Sequence, residues 1–350
     1  RVLISGAGGS IGQELVKQCI SFNPTEIICI EINEEKIFEL GSIINKYQSK
    51  TMIKPILVNI TEKRQLEKVF NDNRPQIVFH AAAYKHVPIQ ELHPWTSVDT
   101  NVGGSLNMVE ISDKYKVEKF VLVSTDKAVN PVNIMGATKR LAEKILQSIN
   151  QKSKTQFMAV RFGNVIGSSG SAIPIFQRQI NEGGPVTITH PEMTRFFMSI
   201  QEASQLILQS GSLGADGEIF LLEMGDSIKI DRIVRDLIKL SGLEPEIDIP
   251  IVYTGLRPGE KLYEELQNIS EIKIKTNHTK IMVLKDNKYV SEWNDFKEVI
   301  KKLLSISKTL ERDKIQLYLK EILPTYQPRS ILFNVNKEKL DLYGTIKGEA

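Results

Sequence analysis

The sequence predicts an α/β protein built on a doubly wound parallel sheet with helices on both faces. Short apolar runs rich in Ile and Val alternate with helical patterns along the first half of the chain, as in a parallel sheet buried on both sides. A glycine-rich turn follows the first run and opens a helix. Together these observations predict a nucleotide-binding domain over residues 1–165.

The elements of this domain follow from apolar spacing and from turn residues. The predicted strands are 2–5, 27–31, 56–59, 77–80, 120–124 and 158–162. The predicted helices lie near 11–22, 34–46, 62–72, 95–115 and 134–150. We therefore expect six strand–helix units in one sheet.

The second half of the chain is richer in loops. Residues 163–170 and 182–185 are loop-like, the strand-like piece 186–189 is short, and 200–209 and 230–240 have helical spacing. We predict a smaller α/β substrate-binding lobe over 166–285, partly interleaved with the first domain. An apolar helical face between Trp293 and Leu304 predicts a C-terminal helical extension over 286–350, with a polar tail at 330–350.

Composition limits the classes of function. The 350 residues are 41% hydrophobic and 25% charged, a soluble globular balance. A net charge of +3 without a basic run among aromatics argues against nucleic acid as a partner. Cys19 and Cys29 read as buried apolar residues rather than a disulfide. The five histidines have no metal-site spacing, so we expect no metal.

A membrane span is not predicted within the chain. No apolar run approaches the ~20 residues that cross a bilayer. The chain starts at Arg1 inside the first predicted strand and without Met, so it reads as a fragment that a membrane segment could precede.

The glycine-rich turn predicts a dinucleotide site. Its glycines let the backbone approach a pyrophosphate at the helix N-terminus. Glu31 ends the second strand 19 residues after Gly12, where a carboxylate accepts from the adenosine ribose and repels a 2′-phosphate. NAD is therefore favoured over NADP, although a solvated strand-end glutamate is an alternative interpretation. The predicted turn residues are Gly6, Gly9, Ser10, Ile11 and Gly12.

Four more residues are predicted to contact this cofactor. Asn59 and Ile60 lie at the end of the third predicted strand and would flank the adenine. Ala81 and Ala82 follow the fourth and offer small side chains where the cofactor crosses the sheet.

The stretch from Ser124 to Lys139 resembles a dehydrogenase active-site frame with one residue replaced. A short-chain dehydrogenase has Tyr four residues before this Lys, and here the position holds Met135, which has no proton to give or take. Asp126 and Lys127 follow the fifth predicted strand, so proton chemistry could have moved to them.

Further motifs extend this likeness over residues 1–285. They are the glycine turn and the segments 80–88, 124–131, 135–139, 161–165, 194–197 and 257–262. In combination they resemble the extended short-chain dehydrogenase/reductases with a Rossmann fold. The likeness is most specific to the bacterial polysaccharide-biosynthesis nucleotide-sugar 4,6-dehydratases.

The resemblance implies dehydration of UDP-N-acetylglucosamine to a 4-keto-6-deoxy sugar with tightly held NAD, an early step of bacterial surface-glycan synthesis. Met in place of Tyr goes with the long members, which retain configuration at C5 and usually carry an N-terminal membrane region. A cytoplasmic catalytic domain at the inner membrane is thus expected. A homo-oligomer, either a dimer through helices 95–115 and 134–150 or a larger assembly, is a further family expectation.

The resemblance also assigns proton-transfer roles. Lys127 is expected to be the base at C5, and Asp126 the acid at the C6 hydroxyl. Lys127 must then be neutral at some point, and a closed site beside the nicotinamide cation could lower its pKa. Lys139 is expected to bond the nicotinamide ribose. The C4 proton could pass through Thr125 to ionised Asp126, or to a water held by Lys139, and these routes stay open.

Met135 and the substrate contacts complete the predicted site. Met135 could pack against the sugar or belong to the helix core. Positive charge is needed around two phosphates, and Glu260 is placed to accept from the uridine ribose. Lys85 and His86 follow the fourth strand, with a contact or a structural role. The predicted phosphate and sugar ligands are Arg195, Arg257, the weaker Arg178, and Asn164.

Three other functions compete with this one. A C5-inverting dehydratase or a 4-epimerase would use the same substrate, but both normally keep the Tyr. An NAD-binding sensor without turnover is motivated by the loss of Tyr and opposed by Asp126, Lys127 and Lys139.

Overall fold

A computed structural model describes residues 1–44, 49–214, 217–286 and 291–328. Its strands are β1 (Val2–Ser5), β2 (Glu26–Glu31), β3 (Met52–Leu57), β4 (Ile77–His80), β5 (Lys119–Val123), β6 (Gln156–Arg161), β7 (Asn164–Val165), β8 (Val186–Ile188), β9 (Thr194–Arg195), β10 (Phe197–Met198), β11 (Ile219–Leu222), β12 (Ile228–Lys229), β13 (Ile251–Tyr253), β14 (Glu271–Lys275) and β15 (Ile281–Asp286).

The helices separate these strands along the chain. They are α1 (Ser10–Ile20), α2 (Glu34–Ile44), α3 (Lys63–Asn73), α4 (Val87–Leu92), α5 (Pro94–Ser97), α6 (Ser105–Lys114), α7 (Ile134–Asn150), α8 (Ala172–Asn181), α9 (Ile200–Leu213), α10 (Ile230–Leu240), α11 (Trp293–Ser307) and α12 (Arg312–Ile322). A π-helical turn (Val98–Gly104) and a 3₁₀ turn (Asp126–Ala128) complete them. None of these described helices is long and apolar enough to cross a membrane.

The main sheet confirms the predicted fold class. Nine described strands lie in the order β14-β15-β11-β6-β5-β4-β1-β2-β3, and β3 to β11 within that order are parallel. The order of the strands along the chain changes direction between β1 and β4. In folds of this kind, ligands bind beyond the carboxyl ends of the strands at such a point. β15 and β14 are antiparallel additions at one edge.

Two predicted boundaries were wrong. The third strand runs from Met52 to Leu57 rather than over 56–59, because it pairs with β2 from Glu26 onward. The helix predicted at 95–115 is instead α5, the π-helical turn and α6, preceded by α4. Two glycines end the π-helical turn, and a Cβ on Gly104 would lie 2.5 Å from Ile60 Cδ1, so this crossing needs a residue without a side chain.

The region 166–285 contributes to the main sheet as well as to a smaller cluster. β11, β14 and β15, which the sequence did not predict, extend the main sheet. The small cluster pairs β8 with β13 and packs α8 and α10 around Val186, Ile188 and Val234. The chain therefore returns to the first domain several times, and the boundaries at 165 and 285 stay a prediction.

The C-terminal extension packs against the first domain. Trp293, Phe296, Ile300 and Leu303 are buried on α11 in the same core cluster as residues of α6 and α7, so the predicted apolar face is confirmed. The predicted tail at 330–350 lies outside the described residues.

Candidate active site

The carboxyl ends of β1, β4, β5 and β6 open into one cleft of about 490 Å³. The motifs that the sequence singled out separately come together around it. The predicted site residues that line the cleft are Gly6, Gly9, Ser10, Ile11, Gly12, Ala81, Lys85, His86, Thr125, Lys127, Met135, Lys139 and Asn164.

The glycine turn forms one wall of the cleft and is shaped for close backbone contact. Gly6 has a φ of +66°, and a Cβ there would lie 2.7 Å from Ala82 Cα. A Cβ on Gly12 would lie 2.1 Å from the Gly6 carbonyl oxygen. Helix α1 begins after Gly9 without a side-chain cap, so its first amides can bind an anion.

Glu31 is fixed beside this turn. Its Oε2 accepts a hydrogen bond from the Gly8 amide at 3.0 Å. Its Oε1 accepts from the amides of Ile32 at 3.0 Å and Asn33 at 3.2 Å. The carboxylate is therefore held at the end of β2 near the turn rather than freely solvated.

The residues predicted near the adenine do not line the cleft. Asn59 lies two residues beyond β3, and its Oδ1 accepts from the Thr61 amide at 2.9 Å. Ile60 is only 5% exposed and belongs to the hydrophobic core. Ala82 lies beneath Gly6, where any side chain on the glycine would meet its backbone.

Thr125, Asp126 and Lys127 form a connected polar group after β5. Thr125 Oγ1 donates to Asp126 Oδ1 at 2.9 Å. Lys127 Nζ donates to the same Oδ1 at 3.0 Å and to Asn164 Oδ1 at 3.1 Å. Asp126 is fully buried, and its Oδ2 accepts no hydrogen bond from the described residues. These contacts link the cleft-lining Thr125 to a buried carboxylate.

Burial and neighbouring charges have opposite effects on the pKa of Lys127. Burial acts to lower its pKa, but the negative charges of Asp126 and Glu264 outweigh burial and raise it. In this structure the ammonium form is therefore favoured, and the lowering expected beside a nicotinamide cation stays a prediction. Asp126, 3.0 Å from Lys127 Nζ, has the larger raising effect, and Glu264 at 3.6 Å adds to it.

Helix α7 brings Lys139 and Met135 to the same cleft. Lys139 Nζ donates to the Val123 carbonyl oxygen at 2.6 Å. Burial lowers the pKa of Lys139 to about 8, against an opposing effect of Glu143. Met135 is 3% exposed and lines the cleft, so it is both part of the helix core and a wall of the site.

Lys85 and His86 face the loop before α8. Lys85 Nζ is 3.4 Å from Ser168 Oγ, and a Cβ on Gly170 would lie 2.7 Å from His86 Cε1. Burial lowers the pKa of both side chains, with the Lys85 charge adding to the effect on His86. Both residues line the cleft, so they are available for direct contact.

The predicted arginine ligands lie outside the cleft lining. Arg195 is 6% exposed, and it donates to the carbonyl oxygens of Thr194 at 2.7 Å, Lys261 at 2.9 Å and Leu262 at 3.2 Å. Arg178 is exposed on α8. The Arg257 amide donates to Glu260 Oε2 at 3.1 Å, which closes a tight turn.

Sequence reasoning missed two parts of the site. Ser168 to Ala172, at the start of α8, line the cleft, and their Gly- and Ser-rich composition was read only as a loop. Glu264 was missed although it follows the matched segment 257–262 by two residues. Within the described residues, no group of His, Cys, Asp or Glu is arranged to hold a metal ion.

The sequence profile of a family described as "Polysaccharide biosynthesis protein" matches residues 2–286. The chain belongs to this family. The match spans the main sheet, the cleft and the smaller cluster, and it confirms the resemblance drawn from the motifs.

Similar proteins extend this result. The chain is 48% identical over 291 residues to the capsular polysaccharide biosynthesis protein CapD of Staphylococcus aureus, across 83% of this chain and 48% of CapD. It is 32% identical to a UDP-N-acetylglucosamine 4,6-dehydratase (inverting) of Campylobacter jejuni, across 84% and 86% of the two chains. The X-ray structure of Pen from Bacillus thuringiensis superposes with a TM-score of 0.74 at 28% identity, across 89% and 98%.

The chain spans about half the length of these longer relatives. It covers 48% of CapD and 45% of the probable polysaccharide biosynthesis protein EpsC of Bacillus subtilis.

Proposed function

We propose that this chain carries a nucleotide-sugar 4,6-dehydratase that uses NAD and acts on UDP-N-acetylglucosamine with retention at C5. The observation that carries the proposal is that Thr125 and Lys127, both bonded to the buried Asp126, line one cleft with Lys139 and the glycine turn. The function named for the Campylobacter jejuni relative supports the reaction class.

The cofactor site fits NAD. The uncapped start of α1 beside Gly6 and Gly12 suits a pyrophosphate, and the fixed carboxylate of Glu31 suits a ribose hydroxyl pair and repels a 2′-phosphate. Bound there, NAD would accept a hydride from C4 and return it to C6. Lys139, 2.6 Å from the Val123 carbonyl oxygen, would donate to the nicotinamide ribose.

The contacts of Thr125 favour one of the open routes for the C4 proton. Thr125 Oγ1 lines the cleft and already donates to Asp126 Oδ1 at 2.9 Å. A C4 hydroxyl could give its proton to Thr125 as Thr125 gives its own to Asp126. The buried Asp126 then holds the proton, and Thr125 would pass it back into the cleft to the C6 hydroxyl, which leaves as water. This relay replaces the missing Tyr and links oxidation to elimination through one carboxyl group.

Lys127 is the proposed base at C5. The 4-ketone makes the C5 proton acidic, and neutral Lys127 would remove it and later return a proton to the same face. Because the pKa of Lys127 is raised in this structure, the reaction begins from the small fraction of the protein in which Lys127 is neutral. We therefore expect the rate to depend on pH through this group.

The nucleotide diphosphate is proposed to meet the start of α8 rather than the arginines. Ser168 and Ser171 line the cleft there, and Lys85 lies beside Ser168. A helix N-terminus and a lysine together suit a diphosphate, while the Arg195 guanidinium already bonds three carbonyl oxygens.

The test is incubation of the protein with UDP-N-acetylglucosamine and analysis of the sugar. We expect a product that has lost one water, with no accumulation of free NADH because the hydride returns. Lys127→Ala should abolish this product and leave NAD bound, whereas Lys68→Ala, at a surface ion pair with Asp72, should behave as the wild type. Unchanged substrate, or its C4 epimer alone, would exclude the dehydratase.

A further inference from the structure

Glu264 is a buried carboxylate that lies between the partly buried Lys127 and the buried Arg195. Its side chain is 4% exposed, with Oε1 3.6 Å from Lys127 Nζ and 3.9 Å from Arg195 Nε. Its Oε2 is buried and accepts no hydrogen bond from the described residues. The interactions that the structure gives this carboxylate are therefore with Lys127 and Arg195.

Charged groups of both signs surround Lys127. Asp126 and Glu264 face Lys127 with negative charge, and Arg195 faces it with positive charge. Without Glu264, Lys127 would keep Asp126 at 3.0 Å and Arg195 would keep Glu260 at 3.6 Å. Among the ion pairs of the described residues, Glu264 is the carboxylate that pairs with both cations. Removal of a partner from a buried ion group is costly, so Glu264 holds Lys127 and Arg195 together.

Hydrogen bonds join the segment around Glu264 to the loop that carries Lys127. Lys261 Nζ donates to the Val129 carbonyl oxygen at 2.9 Å. Asn133 Nδ2 donates to the Gly259 carbonyl oxygen at 2.9 Å, and the Asn130 amide donates to Asn268 Oδ1 at 3.2 Å. These three contacts, on both sides of Glu264, fix its distance from Lys127.

We propose that Glu264 is a positioning residue for the reaction, which holds Lys127 Nζ beside Asp126 and Asn164 and sets the pH at which Lys127 acts as a base. The proposal rests on the proposed function. Glu264 does not line the cleft, so it acts through Lys127 rather than on the sugar.

The test is the pH dependence of turnover in wild type and Glu264→Gln. Loss of this carboxylate removes a charge that favours the lysine ammonium, so Lys127 becomes neutral at lower pH. The acid-side limb of the kcat profile should move down by about one pH unit. KM should stay near the wild-type value because Glu264 does not touch substrate. Glu192→Gln, whose carboxylate pairs with Lys229 at 2.7 Å on the surface, is the matched control.

The outcomes separate the two proposals. If Glu264→Gln is active and loaded with NAD, but the acid-side limb of its kcat profile stays at the wild-type pH or moves to higher pH, the role of Glu264 is overturned. Absence of the 4-keto-6-deoxy product in the wild type overturns the proposed function instead. If Glu264→Gln does not fold, Glu264→Asp carries the test, because it keeps the charge at a greater distance and should give a smaller shift downward. An acid-side limb at the wild-type pH in Glu264→Asp also overturns the proposal.

Discussion

In the proposed mechanism, Thr125 and Asp126 take over the proton transfer that Met135 cannot perform. Met135 is buried against the cleft and contributes no proton chemistry. The hydrogen bond from Thr125 to Asp126 provides a path that a Met cannot. Loss of one acid–base residue and gain of a connected threonine–aspartate pair suit an elimination, in which the proton taken at C4 is used again at C6.

Removal of the Thr125 hydroxyl tests this path. Thr125→Val keeps the shape of the side chain and should reduce kcat by about 10²-fold, the lower end of a typical contribution of a positioned proton-transfer group. Thr125→Ser keeps the hydroxyl and is the matched control. Initial rates of product formation, at equal NAD content, measure the difference. Equal rates for the two variants would show that the C4 proton does not pass through Thr125.

Lys139 gives the site an expected alkaline limit. Burial lowers its pKa to about 8, so the side chain is cationic below that pH and becomes neutral above it. Activity rises with pH as Lys127 becomes neutral, and this rise should stop near pH 8 because the positive charge near the nicotinamide ribose is lost there. Lys139→Arg stays charged, and whatever activity it keeps should go on rising through this range. A profile that levels off near pH 8 in both proteins would contradict the assignment.

At the scale of elements, a buried charge network joins the cleft to the edge of the sheet. Arg161 on β6 is fully buried and donates to Glu143 on α7 at 2.8 and 3.1 Å. It also donates to Glu271 on β14 at 2.9 Å. Ser124 Oγ donates to the same Glu143 at 2.6 Å. The network thus ties the helix that carries Met135 and Lys139 to two strands.

Breaking this network should destabilise the protein. Glu143→Gln leaves Arg161 and Arg140 short of a buried counter-charge, and we expect the free energy of unfolding to fall by about 3–5 kcal/mol. Glu298→Gln on the surface of α11, where the side chain is 69% exposed, should change it by less than ~0.5 kcal/mol. Urea unfolding at neutral pH measures both. Equal stability of the two variants would show that the buried network contributes nothing.

The same network predicts acid sensitivity. Despite burial, Arg161 and Arg140 lower the pKa of Glu143 to about 2, from an ordinary value of 4.5. A depressed carboxylate pKa stabilises the fold above the ordinary value, and this stabilisation is lost as pH falls from 4.5 toward 2. Glu143→Gln should therefore lose less stability than the wild type over this interval.

Elements with strong local signals were predicted closely, and those set by tertiary pairing were not. β1, β4, α7 and α10 match their predicted bounds, because each is a continuous apolar run or a clear helical repeat. β3 was placed four residues late, since its half-exposed residues around Pro55 hide the strand and only pairing with β2 reveals it. β14 and β15 depend on each other and on β11, which spacing along the chain cannot indicate.

At the scale of the whole molecule, the site is part of one sheet edge extended by distant segments. The glycine turn, the 124–139 stretch and Asn164 could be predicted because each is a compact motif at a strand end. Glu264 and the true surroundings of Arg195 could not, because they depend on contacts with residues more than sixty positions away. The oligomeric state and any association with a membrane stay predictions.

We propose that the chain removes water across C5 and C6 and protonates C5 on the face from which the proton left. Proton NMR of the product formed from UDP-N-acetylglucosamine in D2O is the decisive measurement. We expect a 4-keto-6-deoxy sugar with solvent deuterium at C5 and retained configuration. Inverted configuration at C5 would contradict the proposed stereochemistry. An intact C6 hydroxyl group would contradict the dehydration itself.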